Sequence, residues 1–302
     1  MTPSLAPTFP PSPGTARRRS RGAILVGVLW VLVFLAFLAV VLRLHVGAVV
    51  LSVRVTEDKA AARIIAEAGL AQAAALVRAG PPEGIGPLPD EIQAEAETLS
   101  GRVSVTLTNE ARRVDLNTAE KPLIVAVLRV AGAPEATAET VADRIIERRG
   151  KPAAGENPPP QPEPAPSADP IQLIAELALV PGVSPEVAIA AERYATVSSG
   201  LVGIRLDAAD GRLLRAIPGL PPSVASAIAR YRAGRLDRRD LDVALGAVTY
   251  HTTEQAITWR AQLQVDLPSG HGENHEALIT ISPEDSAPYR IIDWRRIANE
   301  LE

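Results

Sequence analysis

Residues 23–42 read AILVGVLWVLVFLAFLAVVL, twenty residues without a charge. As a helix such a run spans roughly 30 Å, the thickness of a bilayer's hydrocarbon core. Arg17, Arg18, Arg19 and Arg21 stand just before it. Because basic flanks stay in the cytoplasm, the N-terminus is expected inside and the rest of the chain outside. A cleaved secretory signal shares the basic start, but its apolar stretch is shorter and ends in small residues. Here Val40, Val41, Leu42 and Arg43 follow instead.

The helical pattern does not stop at Arg43. Alanine, leucine and charged residues favour helix onward, and no proline intervenes before Pro81. Residues 23–79 are expected to form one rod of roughly 85 Å. Its second half offers Ile64, Ile65, Ala68 and Leu76 to a soluble domain. Gly80, Pro81 and Pro82 form the stop signal.

What lies beyond is long enough to bury a core: 302 residues in all, 47% hydrophobic and 22% charged. With no cysteine, there is no disulfide framework, thiolate metal site or cysteine nucleophile. Setting aside the four leading arginines leaves 27 basic against 35 acidic residues, a net charge of −8. Together with only 3% aromatic residues, that acidic balance argues against a nucleic-acid binder, which needs cations for phosphate and rings for stacking.

After the stop, residues 101–116 read as strand, turn and strand, with Val103, Val105 and Leu107 alternating and Asn109-Glu110 at the turn. Residues 255–266, 275–282 and 288–295 give three more strands. Between these groups lies a helical region with an internal echo. Val114-Asp115-Leu116-Asn117-Thr118-Ala119 opens one unit, and Ile204-Arg205-Leu206-Asp207-Ala208-Ala209 opens another. A third piece, 173–197, reads as helix, Pro-Gly turn and helix. Asp169 and Pro170 are expected to start its first helix, and Ser184 and Pro185 its second. These are helix-hairpin-helix patterns, and their apolar residues read as core. The segment 151–170 holds eight prolines and reads as an exposed loop.

No phosphate-cradling glycine loop, nucleophile elbow or zinc-protease pair is present in the sequence, so an enzyme is not expected. His271 and His275 with Glu273 between them have the residue types of a metal site. Gly270 and Gly272 make the segment read as a solvated turn instead. The alternative function is a membrane-anchored DNA-binding protein of the competence type, whose helix-hairpin-helix turns offer amide N–H groups to phosphate. Here the turns are Gly182-Val183-Ser184 and Gly219-Leu220-Pro221, and proline has no amide to offer.

Arg21-Gly22-Ala23-Ile24-Leu25 before an apolar helix is similar to a type IV prepilin leader. The resemblance implies cleavage by the prepilin peptidase after Gly22 and methylation of Ala23 as the new first residue. Most of that family carries a glutamate at the fifth mature position, where this chain has Gly27. An intramembrane carboxylate needs a partner, which in these filaments is a neighbouring amino terminus, so its loss fits a subunit with no neighbour above it.

In the order of its parts, from leader to the final PYRIIDWRR, the chain resembles the K-class minor pseudopilin of type II secretion. It departs where IRLDAA stands for the family's INLNTA and where the proline-rich loop stands. The resemblance implies an α+β fold: a long N-terminal transmembrane helix and a pilin-like antiparallel sheet with a large all-α helix-hairpin-helix insertion. The expected divisions are a leader at 1–22, the helix at 23–80, sheet at 81–113 and 246–302, and the insertion at 114–245. The implied partners are minor pseudopilins of the I, J and H classes, the prepilin peptidase and the inner-membrane secretion platform. No cofactor is evident. Some K-class relatives bind calcium through clustered carboxylates, but no ligand set can be matched here residue by residue.

Overall fold

The computed structural model describes residues 20–80, 88–150, 169–246, 248–282 and 286–297, without the side chains of 20–24 and 44–53. Residues 1–19 of the expected leader and 151–168 of the proline-rich segment lie outside the described residues. The chain divides into two compact units, Met1–Ala60 and Ala61–Glu302. Helix α1, Ser20–Ala79, runs through the point of division. It ends where Gly80 takes a left-handed φ of 70°, a conformation that costs glycine little.

In the first unit the described side chains of α1 before Arg43 are all exposed. In the second, α1 presents Ala62, Ile65, Ala66, Leu70, Ala73, Ala74 and Val77 to a sheet, all buried. The sheet has five antiparallel strands in the order β1-β2-β5-β6-β7. These are β1 Glu91–Thr98, β2 Gly101–Asn109, β5 Thr258–Asp266, β6 Gly272–Thr280 and β7 Arg290–Ile297. Val103, Val105 and Leu107 of β2, Leu263 and Val265 of β5, and Ala277 and Ile279 of β6 complete this core. Period-two alternation puts each on the α1 face, and burying such side chains stabilises by about 1.5–3 kcal/mol apiece.

The first hairpin differs from the one expected. Its strands are β1 and β2, joined at Leu99-Ser100, with Thr98 opposite Gly101. The sequence EIQAEAET of β1 does alternate, but glutamate and alanine are poor strand formers and hide it. Asn109 is not a hairpin turn. It caps a 3-10 turn, Glu110–Arg112, that leads out of the sheet. The three later strands stand within three residues of their expected starts.

Between β2 and β5 runs a mostly helical segment with its own core. It contains β3 Val114–Asp115, α2 Lys121–Val130, α3 Glu135–Arg149, α4 Pro185–Ala191, β4 Ala195–Thr196, α5 Gly211–Ala216, α6 Pro222–Arg232 and α7 Arg238–Leu245. All six residues from Leu123 to Leu128 are buried, so α2 is the central helix of this core. Around it pack Val141 and Ile145 of α3, Leu213 of α5, Ile228 of α6 and Leu241 of α7. Ser184 caps α4 as expected, its hydroxyl accepting from the Val187 N–H at 3.3 Å. The helix expected to start at Asp169-Pro170 is instead a short 3-10 helix at Ile174–Leu179. The Glu176 carboxylate draws in the N–H groups of Gln172 and Leu173 ahead of it. The opening of the first echoed unit pairs in parallel as β3 with β4. The second meets His251 through Ile204.

Candidate functional site

Leu25–Arg43 forms nineteen residues long and apolar enough to cross a membrane, and none of this stretch is buried. Trp30, Phe34 and Phe37 are each more than 60% exposed. Apolar side chains on every face of a helix need lipid or neighbouring helices around them. Gly27 lies inside this stretch, and an added Cβ would meet nothing within 4 Å. Packing within this chain therefore does not require glycine there. Gly22 and Ala23 sit in the first turns of α1.

In the second unit a run of linked ion pairs lies where the helical segment meets the sheet. Glu110, at the exit from β2, is fully buried. It accepts from Arg113 Nη1 at 2.6 Å and from Arg260 Nε at 3.0 Å. Arg260, on β5, also donates to Glu276 of β6 at 2.5 Å. Glu276 accepts from Arg295 of β7 at 2.7 Å, and Arg295 reaches on to Glu192 beyond α4 at 3.0 Å. The result is a chain of alternating charges joining three strands to the helical segment. Burial would raise the Glu110 pKa, but Arg113 and Arg260 outweigh it and hold the carboxyl below its ordinary range. Burial likewise works against the charge on Arg260, and Glu110 and Glu276 more than restore it. A cleft of about 590 Å³ opens beside this chain, with Arg112, Arg193 and Asp210 at its walls. Arg193 and Asp210 are paired at 2.9 Å. Each acid in the chain is matched by a guanidinium, so the arrangement clamps elements together.

A second network holds the strand entry. Arg205 joins Asp90 at 3.1 Å and Asp207 at 3.1 Å, and Arg238 joins Asp207 at 2.6 Å. Asp207 thus serves an ion-pair network. Its counterpart in the first echoed unit, Asp115, accepts from the N–H groups of Asn117 and Gly200 and from the Ser199 hydroxyl.

The His271 segment is not the solvated turn its glycines imply. Gly272 opens β6, and the side chains of Glu273 and His275 are 3% and 6% exposed. His271 Nε2 and His275 Nε2 lie 3.0 and 3.1 Å from the two oxygens of Glu273. Arg296 Nη1 stands 3.3 Å from the same carboxylate. The Trp294 indole donates to His275 Nδ1 at 3.3 Å, which leaves the ring proton of the neutral imidazole on Nε2, the nitrogen that faces Glu273. A proton at that nitrogen and a guanidinium on the carboxylate are the wrong donor set for a cation. Among the described residues no group of three or more His, Cys, Asp or Glu side chains is arranged to hold a metal ion. The calcium site implied by the resemblance finds no fit there.

The hairpin turns are likewise engaged. Gly182 and Gly219 both take left-handed φ, at 96° and 75°. The N–H groups of Val183 and Leu220 already donate to Val180 and Ile217. Arg144 donates to the Pro181 carbonyl. Amides spent inside the turn are not available to a phosphate.

The charged chain through Glu110, Arg260 and Glu276 is not foreseen from the sequence. Its one local signal is the Glu110 and Arg113 spacing just after a strand, since Arg260 lies 150 residues away and the other members are distant too.

No family model matches the chain, and no curated protein matches it. Among solved structures, a chain of the GspK-GspI-GspJ complex from the enterotoxigenic Escherichia coli type 2 secretion system is similar to it, with a TM-score of 0.51. The match covers 81% of this chain and 99% of that one at 11% sequence identity, a likeness of fold.

Proposed function

We propose that this chain is a K-class minor pseudopilin of a type II secretion system, anchored in the inner membrane with its bulk in the periplasm. The observation that carries the reading is a fully exposed apolar helical stretch on a chain whose fold is similar to one in a solved complex of that system. On this reading residues 1–22 are a leader removed by the prepilin peptidase, which leaves Ala23 as the methylated first residue. Residues 23–80 are the membrane and pilin-type helix, 81–113 and 246–302 build the pilin-like sheet, and 114–245 are a helical insertion. The partners are I-, J- and H-class pseudopilins, which assemble through their N-terminal helices on the inner-membrane secretion platform.

The place in the filament follows from two features. Gly27 has no carboxylate to pair with an amine of a subunit above. A bulky helical segment would also collide with such a subunit, whereas a filament tip leaves it room. The chain would then prime and cap a short periplasmic pseudopilus that supports export of folded proteins across the outer membrane.

Intact mass and N-terminal sequencing of the membrane-extracted protein, with and without the peptidase, test the class. A peptidase-dependent chain beginning at methylated Ala23 is the expected result. An unprocessed Met1 start in the presence of an active peptidase would refute it.

A further inference from the structure

The His275 environment has a feature that pseudopilus assembly does not require. Indole Nε1–H can only donate, so the Trp294 to His275 bond exists only while Nδ1 is an unprotonated acceptor. The two rings lie 5.5 Å apart, tilted by 50°. The other side of this contact is a cation: the Arg63 guanidinium of α1 sits 3.5 Å from the centre of the Trp294 ring. Arg63 is held in turn by Glu67, one helical turn on, at 2.6 Å. Trp294 therefore fastens β7, an outer strand of the sheet, both to β6 and to α1. Strand pairing with β6 and the ion pairs of Arg295 and Arg296 also hold β7, but Trp294 is the one β7 residue from 290 to 297 that is not exposed.

We propose that His275 is a proton-operated latch: its neutral imidazole holds Trp294, and through it strand β7, against α1, and a proton at Nδ1 releases them.

The groups that face His275 set the balance of this latch. On β6 they are Glu273 and, across that carboxylate, His271. On β7 it meets Trp294, with Arg296 close by on Glu273. On α1 it meets the field of Arg63. The neighbour on β5 is Leu263, which carries no charge. Burial disfavours the imidazolium, Glu273 favours it, and Arg63 and Arg296 oppose it, so the group titrates below the ordinary histidine range. When the proton arrives, two N–H groups point at each other across the Trp294 contact. A new cation also stands beside the two arginines. The first effect breaks the Trp294 contact, and the second sets a new cation against Arg63 and Arg296 with Glu273 to offset it.

The test uses the full chain in detergent micelles with ¹⁵N-labelled indoles, of which there are three, Trp30, Trp259 and Trp294. Trp294→Phe assigns the relevant resonance. Between pH 8 and pH 4.5 the Trp294 indole signal is expected to move with one midpoint below about 6.5. It should track the His275 ring nitrogens, while amide protection across 290–297 falls about tenfold relative to β5, the scale of one lost hydrogen bond. His275→Gln should abolish the movement and His271→Gln should leave it in place. A Trp294 signal that stays fixed while His275 titrates would overturn the latch. So would a titration that survives His275→Gln or vanishes with His271→Gln. Should His275→Gln fail to fold, the parent chain and His271→Gln still decide the matter. None of these readings depends on peptidase processing or on partner pseudopilins.

Discussion

Asn109 shows how much one polar side chain can hold. It is fully buried. Its amide oxygen accepts from the N–H groups of Ala111 and Ala256, and its amide nitrogen donates to the Ala256 carbonyl. The chain leaves the sheet at 109 and returns at 256, so these bonds stitch the two crossings together. Asn109→Leu keeps the branched shape but strands three backbone groups, and is expected to cost about 2–4 kcal/mol in urea unfolding. Glu110 beside it should be as sensitive. Glu110→Gln leaves Arg113 and Arg260 facing a neutral group in a buried site, where losing one partner of an ion pair costs about 3–5 kcal/mol. His251 gives a pH signature. Burial, the largest influence on it, lowers its pKa below the ordinary value. The unfolded chain therefore takes up this proton first as pH falls. The histidine's contribution is complete above about pH 6.5 and is lost as pH drops through the folded value. Against His251→Gln, the parent should lose relative stability between pH 7 and 5.

At the scale of elements, the contact of α1 with the sheet depends on small residues as much as on large ones. An added Cβ at Gly69 would lie 2.6 Å from a Val103 methyl, closer than side chains approach. Gly69→Ala should gain helix propensity of about 1 kcal/mol, yet lose more to overpacking, for a net destabilisation of about 1–2 kcal/mol. Combining it with Val103→Ala should recover part of that loss, which a double-mutant cycle would read directly. The sequence shows that α1 continues past the apolar run, because alanine-rich helix and a Gly-Pro-Pro stop are local signals. Strand β1 is hidden for the opposite reason: its Glu and Ala residues serve a sheet edge and a close helix contact, and neither follows from strand propensity. The helix cap at Ser184 is readable from residue type. The 3-10 helix at Ile174–Leu179 is not, because Glu176 reaches back to claim the amides that a longer helix would have used.

At the scale of the molecule, the apolar span and the acidic remainder are both legible in composition, and they raise the expectation of a membrane anchor before any fold is known. The ion-pair chain that joins sheet to helical segment is not legible, because its members come together only once β5, β6 and β7 are aligned. A helix exposed on every face carries glycine at position 27. Crowding within this chain is not the reason, since an added Cβ there would meet none of its atoms within 4 Å. Electrostatics supplies one. A carboxylate inside a bilayer is costly unless it is paired, and a subunit with no neighbour above it is offered no amine. On the proposed function, Gly27→Glu should therefore reduce recovery of the chain with partner pseudopilins from membranes, and reduce secretion with it. Gly27→Gln, which is polar but uncharged, should be milder, and Gly27→Leu should be close to neutral. Secretion and co-purification that are unchanged by the glutamate would mean that position 27 does not sense charge, and the argument for the tip would then rest on bulk alone.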